Sequence, residues 1–184
     1  MSKSNESKTV KEALKQAKEN IDKKDFKTAL KCCKRALNVD NSNYMALVFY
    51  GLCSTEVEQY DQGLQAYKKA TEVKPNQLTA WQGLSTFYEK KKDVSEEDLK
   101  YLAVVYDKIL NIFEASDEMN KYYLTSDKLV NLYSTKLAQV DEAIKVIQAR
   151  IEVIFTAIKF FIYKIPYLPF KDALRASTPQ IQRA

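Results

Sequence analysis

Hydrophobic and polar positions alternate along this chain with the spacing of α-helices, and the alternation itself repeats. Its clearest instance contains Trp81, Leu84 and Tyr88, which recur at i, i+3 and i+7 and therefore share one face of a helix. Leu47 lies 34 residues before Trp81, and Ala13 lies 34 residues before Leu47. The pattern predicts successive amphipathic helices with a period of about 34 residues.

A second helix in each period repeats at the same interval. Small residues also recur at this interval, at Ala17, Gly51 and Ser85, and they allow a neighbouring helix to approach closely. Pro75 ends the second helix of its period because proline cannot continue a helix, and Asn41 lies at the equivalent place. The matched pairs of the second helix are Phe26 and Tyr60, Ala29 and Gly63, Leu30 and Leu64, Cys33 and Tyr67, and Ala36 and Ala70. The sequence therefore predicts an all-α stack of helical hairpins.

The third hairpin contains an insertion. The charged stretch Lys90–Val94 precedes Ser95, and three acidic residues follow that serine, which is typical of a helix N-terminus. Leu102, Tyr106 and Ile109 then occupy the second-helix positions about five residues later than in the first two repeats. We expect the inserted residues to form a surface loop.

The remaining sequence predicts a fourth, looser hairpin and an apolar C-terminal helix. This last segment has Lys159 in its middle and Pro166 soon after, so it is too short and too interrupted to span a membrane. We expect a following repeat or a partner to cover it. The predicted organisation is a disordered N-terminus at 1–8, a repeat domain at 9–150, an apolar helical extension at 151–170 and a polar tail at 171–184. The repeats are predicted at about 10–43, 44–77, 78–116 and 117–150.

Composition agrees with a helical chain and offers few residues suited to catalysis. Apolar residues make up 46% of the chain, which contains only three glycines and four prolines. There is no histidine, which excludes Ser-His or Cys-His catalysis and histidine-containing zinc sites. We predict that the chain is not an enzyme, holds no cofactor or metal and has no small-molecule substrate. The three cysteines, Cys32, Cys33 and Cys53, are predicted to be reduced core or groove residues.

The charge of the chain is uneven, although its net value is +5. Residues 1–36 carry 11 basic and 5 acidic residues, whereas residues 37–152 carry 13 and 18. The basic N-terminal part is either a solvated lysine-rich face or a contact surface for RNA or an acidic partner. The lysines of an RNA-binding surface would be Lys11, Lys15, Lys18, Lys31 and Lys34. The first residues are polar and contain no apolar secretory segment, so we expect a protein of the cytoplasm or the nucleus.

The W-x2-L-S-x2-Y pattern from Trp81 to Tyr88 resembles the first helix of a tetratricopeptide repeat. This resemblance implies an α-solenoid of three clear hairpins and one looser hairpin, with a partner-binding groove lined by the first, or A, helices. The groove residues are predicted to be Lys11, Leu14, Lys18, Met45, Val48, Leu52, Thr55, Thr79, Gln82 and Thr86. Because this groove is mixed basic and apolar, it would suit an extended peptide or another helix.

One alternative within this class is an adaptor for chaperones. Repeats that bind chaperone C-termini use lysine and asparagine as a clamp for two carboxylates. Here Leu14, Lys18, Phe49 and Leu52 occupy those places, which speaks against a chaperone clamp.

A more specific resemblance covers about residues 8–150. The stretch Asn43–Lys90, with FKTALKCCKRAL before it and DKLVNLY after it, resembles the N-terminal arm of the tetratricopeptide scaffold subunit of the superkiller (Ski) complex. The resemblance implies a cytoplasmic assembly that holds an RNA helicase and a WD40-repeat subunit and delivers mRNA to the exosome for 3′-to-5′ decay. Members of that family are far longer, so we expect a fragment or a short isoform. Residues 151–184 do not resemble the continuing family sequence.

Overall fold

The computed structural model describes residues 3–163, and all regular structure among them is helical. The predicted all-α fold is confirmed. Eight α-helices follow one another along this part of the chain, and a π-helical segment separates the last two. Their bounds are α1 Lys3–Asp22, α2 Phe26–Val39, α3 Tyr44–Glu56, α4 Tyr60–Val73, α5 Leu78–Lys90, α6 Glu96–Ala115, α7 Met119–Asn131, the π segment Leu132–Lys136 and α8 Val140–Tyr163.

The chain forms two compact units, Met1–Tyr122 and Tyr123–Ala184. The first unit contains three hairpins, in which α1 packs on α2, α3 on α4, and α5 on α6. Each second helix also packs on the first helix of the next hairpin, so that α2 contacts α3 and α4 contacts α5. The first helices α1, α3 and α5 contact one another in order and form a layer. We call them the A helices, and we call α2, α4, α6 and α8 the B helices.

Close contacts of Tyr67, both within its hairpin and with the next hairpin, depend on small residues. The ring of Tyr67 in α4 lies against Gly51 of α3 and Gly83 of α5. A Cβ atom added at Gly51 would lie 2.9 Å from the Tyr67 ring, and one added at Gly83 would lie 2.2 Å from it. Gly51 is therefore small for the reason that the sequence predicts. Gly83 is an additional contact that the comparison of successive repeats does not identify.

Trp81 is a packing residue that also joins two hairpins. Its indole Nε1 donates a hydrogen bond to the carbonyl oxygen of Pro75 at 2.7 Å, which ties α5 to the turn after α4. The equivalent residues Leu47 and Ala13 are buried as well. The predicted equivalence of these three positions is therefore confirmed within the first unit.

Short polar side chains begin several helices. Asp25 accepts a hydrogen bond from the Thr28 backbone at 3.1 Å, and Asn43 accepts one from the Ala46 backbone. Ser95 forms a capping box with Asp98 at the start of α6, where acids were expected to mark a helix N-terminus. The left-handed backbone at Lys24 and Glu58 makes the turns that follow α1 and α3, with φ near 60° at both residues.

The first helix is longer than the sequence predicts. It begins at Lys3, whereas we expected a disordered terminus over residues 1–8. Neither proline nor glycine interrupts this stretch, and the Thr9 hydroxyl donates to the Asn5 carbonyl oxygen at 2.8 Å within the helix. Polarity alone therefore does not end this helix.

The second unit differs from its predicted organisation at two places. The π segment Leu132–Lys136 follows α7 directly and takes the place that the inserted loop has in the third hairpin. Helix α8 is continuous from Val140 to Tyr163, so the predicted boundary between 150 and 151 does not divide two elements. The helix continues because this stretch contains neither proline nor glycine. Residues 164–170 of the predicted extension and the predicted tail 171–184 lie outside the described residues.

Among the described residues, no helix is both long enough and apolar enough to cross a membrane.

Candidate functional site

The A helices place repeat-equivalent residues side by side on one face of the first unit. One row consists of Lys11, Met45 and Thr79, which are equally spaced by one repeat and all exposed. A second row lies seven residues further along each helix, two turns away on the same face. It consists of Lys18, Leu52 and Thr86, of which Leu52 is half-buried and the others are exposed. These two rows form the surface that we call the A face.

Two predicted groove residues are not on this surface. Val48 and Thr55 are 5% and 7% exposed, so both side chains are buried in the first unit. The Thr55 hydroxyl donates to the Gly51 carbonyl oxygen at 2.9 Å and lies close to Gly63 of α4. The prediction failed there because α3 is covered on several sides, which leaves a narrow exposed strip. Of the other two predicted groove residues, Leu14 is half-buried and Gln82 is exposed.

A groove of about 320 Å³ lies at the N-terminal edge of the A face. Helix α1 contributes Glu6, Lys11 and Leu14 to its lining, and the end of α2 with the following turn contributes Val39, Asp40 and Asn43. The groove thus combines the ammonium group of Lys11, the carboxylates of Glu6 and Asp40, and apolar surface, whereas the sequence predicts a mixed basic and apolar groove. The contribution of the turn after α2 was not predicted, since its polar residues indicate only a helix cap.

The carboxylate in this groove is held in its charged form. Asp40 accepts hydrogen bonds from the Asn43 amide at 3.1 Å and from Ser42, and these bonds lower the pKa of Asp40 below its ordinary value. It also orders the turn that leads into α3. A ligand group that approaches Asp40 therefore meets a fixed negative charge in a groove that Lys11 also lines.

Two of the four places of a two-carboxylate clamp are used for packing. Leu14 packs against the cluster that contains Val10 and Ala46, and Phe49 packs against the cluster of Ala17, Cys32 and Cys33. These apolar side chains offer no hydrogen-bond donor to a carboxylate.

The lysines of the basic N-terminal part are solvent-exposed. This holds for Lys11, Lys15, Lys18, Lys31 and Lys34. The ammonium group of Lys34 lies 5.9 Å from the centre of the Tyr50 ring, within the range of a cation–π contact. These positive charges are therefore available to a partner.

The cysteines are buried, as predicted, and none forms a disulfide. A hydrogen bond with Cys53 and burial together raise the pKa of the Cys33 thiol. A thiol with a raised pKa is a poor nucleophile because the thiolate is the reactive form. No cluster of potential metal ligands occurs within the part of the chain that the structure describes.

Comparison with known proteins finds relatives that match about 70% of this chain. No family model matches it. Superkiller complex protein 3 of Homo sapiens is 46% identical over 127 residues, which cover 69% of this chain and 8% of that protein. Tetratricopeptide repeat protein 37 of Xenopus laevis is 44% identical over 137 residues, which cover 74% of this chain and 8% of that protein. The chain therefore spans about 8% of the length of these relatives.

The fold has a counterpart among solved structures. The crystal structure of MamA superposes with a TM-score of 0.62 at 18% identity, over 82% of this chain and 81% of that one. This likeness concerns the fold alone.

Proposed function

This chain contains a tetratricopeptide-repeat region of the kind found in the superkiller complex scaffold, and from that premise we propose its function. We propose that it is a non-enzymatic segment of that scaffold which binds protein partners in cytoplasmic, exosome-dependent 3′-to-5′ mRNA decay. The segment is either a fragment or a natural short form, since it spans about 8% of the length of its relatives. Its partners in this proposal are the RNA helicase subunit, the WD40-repeat subunit and the exosome.

The A face is the observation that carries this proposal. Its residues are aligned across three hairpins by packing, and they include exposed lysines, an exposed methionine and polar side chains. A surface of this kind binds an extended peptide or a helix without a change in its own backbone. The groove beside Lys11 and Asp40 then fixes one end of the ligand through charge.

A pull-down with purified subunits tests the proposal. The full chain is immobilised and offered the helicase subunit, the WD40-repeat subunit and an unrelated helicase of similar charge. We expect one of the two complex subunits to be retained and the unrelated helicase to pass through. Retention of neither subunit, by a chain whose helical circular dichroism is intact, would contradict the scaffold role.

Charge reversal on the A face locates the contact. The variant Lys11→Glu/Lys18→Glu changes two exposed residues of the A face, and Lys27→Glu/Lys69→Glu makes the same charge change on exposed positions of α2 and α4. We expect the first variant to weaken retention about tenfold or more and the second to leave it unchanged. Equal weakening by both variants would show a general charge effect and would remove the A face from the proposal.

Direct RNA contact is the second candidate function, and the exposure of all five lysines named above favours it. Phosphate contacts release counterions, so RNA affinity should fall steeply with salt and should fall less steeply after lysine-to-glutamate changes. The test measures the affinity for a single-stranded RNA at two salt concentrations. It compares the unchanged protein with Lys11→Glu/Lys18→Glu and with the control Lys27→Glu/Lys69→Glu. Salt-independent or absent binding would reject direct RNA contact.

A further inference from the structure

A second groove lies between α1 and α2, and its described lining shares no residue with the A face. Its volume is about 620 Å³. The described lining residues all have polar or charged side chains, and they are Asn5, Lys8, Thr9, Glu12, Gln16 and Arg35. We call this surface the hairpin groove.

The cation of Arg35 in this groove is positioned but not neutralised. Its guanidinium group donates a hydrogen bond to Oε1 of Gln16 at 2.6 Å, and Nε2 of Gln16 donates to the Glu12 carboxylate at 3.0 Å. The partner of the guanidinium group is therefore a neutral amide, and Arg35 forms no ion pair with a described residue. Arginine carries five N–H donors in a planar fork that matches a carboxylate. The bond to Gln16 thus holds a cation in place and leaves donors for a ligand.

The equivalent positions of the second hairpin show that the hairpin groove is not suited to the burial of an apolar helix. Ala46 and Tyr50 of α3 lie one repeat after Glu12 and Gln16. Both pack in clusters that contain residues of α2. In α1 a carboxylate and an amide replace these apolar contacts, and their burial under an apolar surface would cost free energy. A partner of the hairpin groove must therefore supply polar or charged groups.

The charge around the groove indicates the sign of those groups. Helix α2 has no acidic residue, and its four basic residues are Lys27, Lys31, Lys34 and Arg35. All four are exposed, and none forms an ion pair with a described residue. Helix α4 of the second hairpin instead carries two acidic and two basic residues. The excess of positive charge beside the groove favours an anionic ligand.

The lining of the groove favours an acidic peptide over RNA. Proteins that bind single-stranded RNA stack its bases on aromatic side chains, and none of the described lining residues is aromatic. The amide of Asn5 and the hydroxyl of Thr9 supply hydrogen-bonding groups for a peptide backbone. We propose that the hairpin groove binds an acidic segment of a protein partner, whose carboxylates pair with Arg35 and Lys8. This site is separate from the A face and does not depend on the function proposed for that surface.

Fluorescence anisotropy with a labelled oligoglutamate peptide tests this proposal. The full chain is compared with Lys8→Gln/Arg35→Gln and with the control Lys23→Gln/Lys27→Gln. The control removes the same charge from exposed residues of the same hairpin that do not line the groove. We expect the first variant to raise the Kd for the peptide about tenfold or more and the control to change it by less than about twofold. Helical circular dichroism establishes that each variant folds.

Two further substitutions test the groove without the loss of a positive charge. Gln16→Ala removes the acceptor that positions Arg35, and we expect it to weaken peptide binding about threefold. Glu12→Gln removes a carboxylate that repels the peptide and keeps an amide oxygen for Gln16, so we expect binding to become about threefold tighter. Its control is Glu19→Gln, because Glu19 is an exposed residue of α1 that does not line the groove, and binding should hardly change.

Three results would overturn the proposal. They are no binding of oligoglutamate by the folded chain, equal weakening by Lys8→Gln/Arg35→Gln and its control, and equal effects of Glu12→Gln and Glu19→Gln. Single-stranded oligouridylate is measured in parallel. If it bound more tightly than oligoglutamate and were weakened by Lys8→Gln/Arg35→Gln, the groove would be assigned to RNA, which would also overturn the proposal.

Discussion

Helices α2 and α8 present apolar residues at the same positions, yet the two surfaces have different surroundings. Leu30 on α2 is 7% exposed because it packs in one cluster with Cys53 of α3, whereas Ile144 on α8 is 45% exposed. The comparison teaches that the spacing of apolar residues identifies a face that is suited to burial. It does not identify the neighbour that buries it.

The largest expected effect concerns the junctions between hairpins in the first unit. Trp81→Ala removes a buried aromatic side chain and its hydrogen bond to Pro75, and we expect a loss of about 3–5 kcal/mol in the free energy of unfolding. The control is Leu124→Ala on α7, where the leucine is 67% exposed and the expected change is within about 0.5 kcal/mol. Urea unfolding measures both, and an unchanged stability for the tryptophan variant would refute the packing role of Trp81.

The second prediction tests the comparison between α2 and α8 directly. Leu30→Ala should reduce the free energy of unfolding by about 2–5 kcal/mol because the leucine is covered by its neighbours. Ile144→Ala should change it by less than about 1 kcal/mol, since much of the isoleucine is already in water. Both variants are unfolded in urea at the same protein concentration. Similar losses for both would mean that Ile144 is covered in solution.

A smaller effect is expected at the start of α6. Ser95→Ala removes the side chain that accepts from the Asp98 backbone, and loss of a cap of this kind costs about 1 kcal/mol. Gln139 precedes α8, and glutamine is not among the favoured cap residues, so Gln139→Ala should cost less. Thermal unfolding compares the two variants, and an equal loss for both would contradict a capping difference between these helix starts.

The smallest predicted effect is a pH dependence at the same place. Burial opposes ionisation of Asp98, but its hydrogen bonds from Lys91 and Ser95 hold the pKa of this carboxyl below its ordinary value. A lowered folded-state pKa stabilises the protein above the unfolded-state value of about 4, and this stabilisation is lost as the pH falls through the folded-state pKa.

Lys91→Met should therefore lower stability slightly at pH 7, and the difference from the unchanged protein should shrink under strongly acidic conditions. The urea unfolding midpoints of both proteins, at pH 7 and under strongly acidic conditions, measure this difference in stability. If the difference in stability between the two proteins grew on acidification, the pKa of Asp98 would not be lowered by Lys91.

Much of the first unit could be predicted because its physical signals are local or periodic. Trp81, Leu47 and Ala13 share a core position through the repeat period, and Ser95 marks a helix start through its own hydrogen bonds. The approach of Gly83 to Tyr67 could not be predicted in this way, because it depends on the distance between two hairpins. The periodic signal gives the face of a residue but not the gap that its side chain must fill.

The candidate site was harder to predict than the fold. Lys11, Met45 and Thr79 lie on the surface as expected, but Val48 and Thr55 do not. The repeat spacing places each of these residues on an A helix. Their exposure, however, depends on how many neighbours surround that helix. The π segment Leu132–Lys136 was also missed, since no residue type specifically marks a π-helix.

The turns after α1 and α3 have a consequence for engineering. Lys24 and Glu58 adopt a left-handed backbone, which is unfavourable for residues that carry a Cβ atom. Glycine adopts it without that steric penalty, and the whole chain contains only three glycines. These two turns are therefore positions at which a single glycine substitution could make the protein more resistant to heat while its binding surfaces stay as they are.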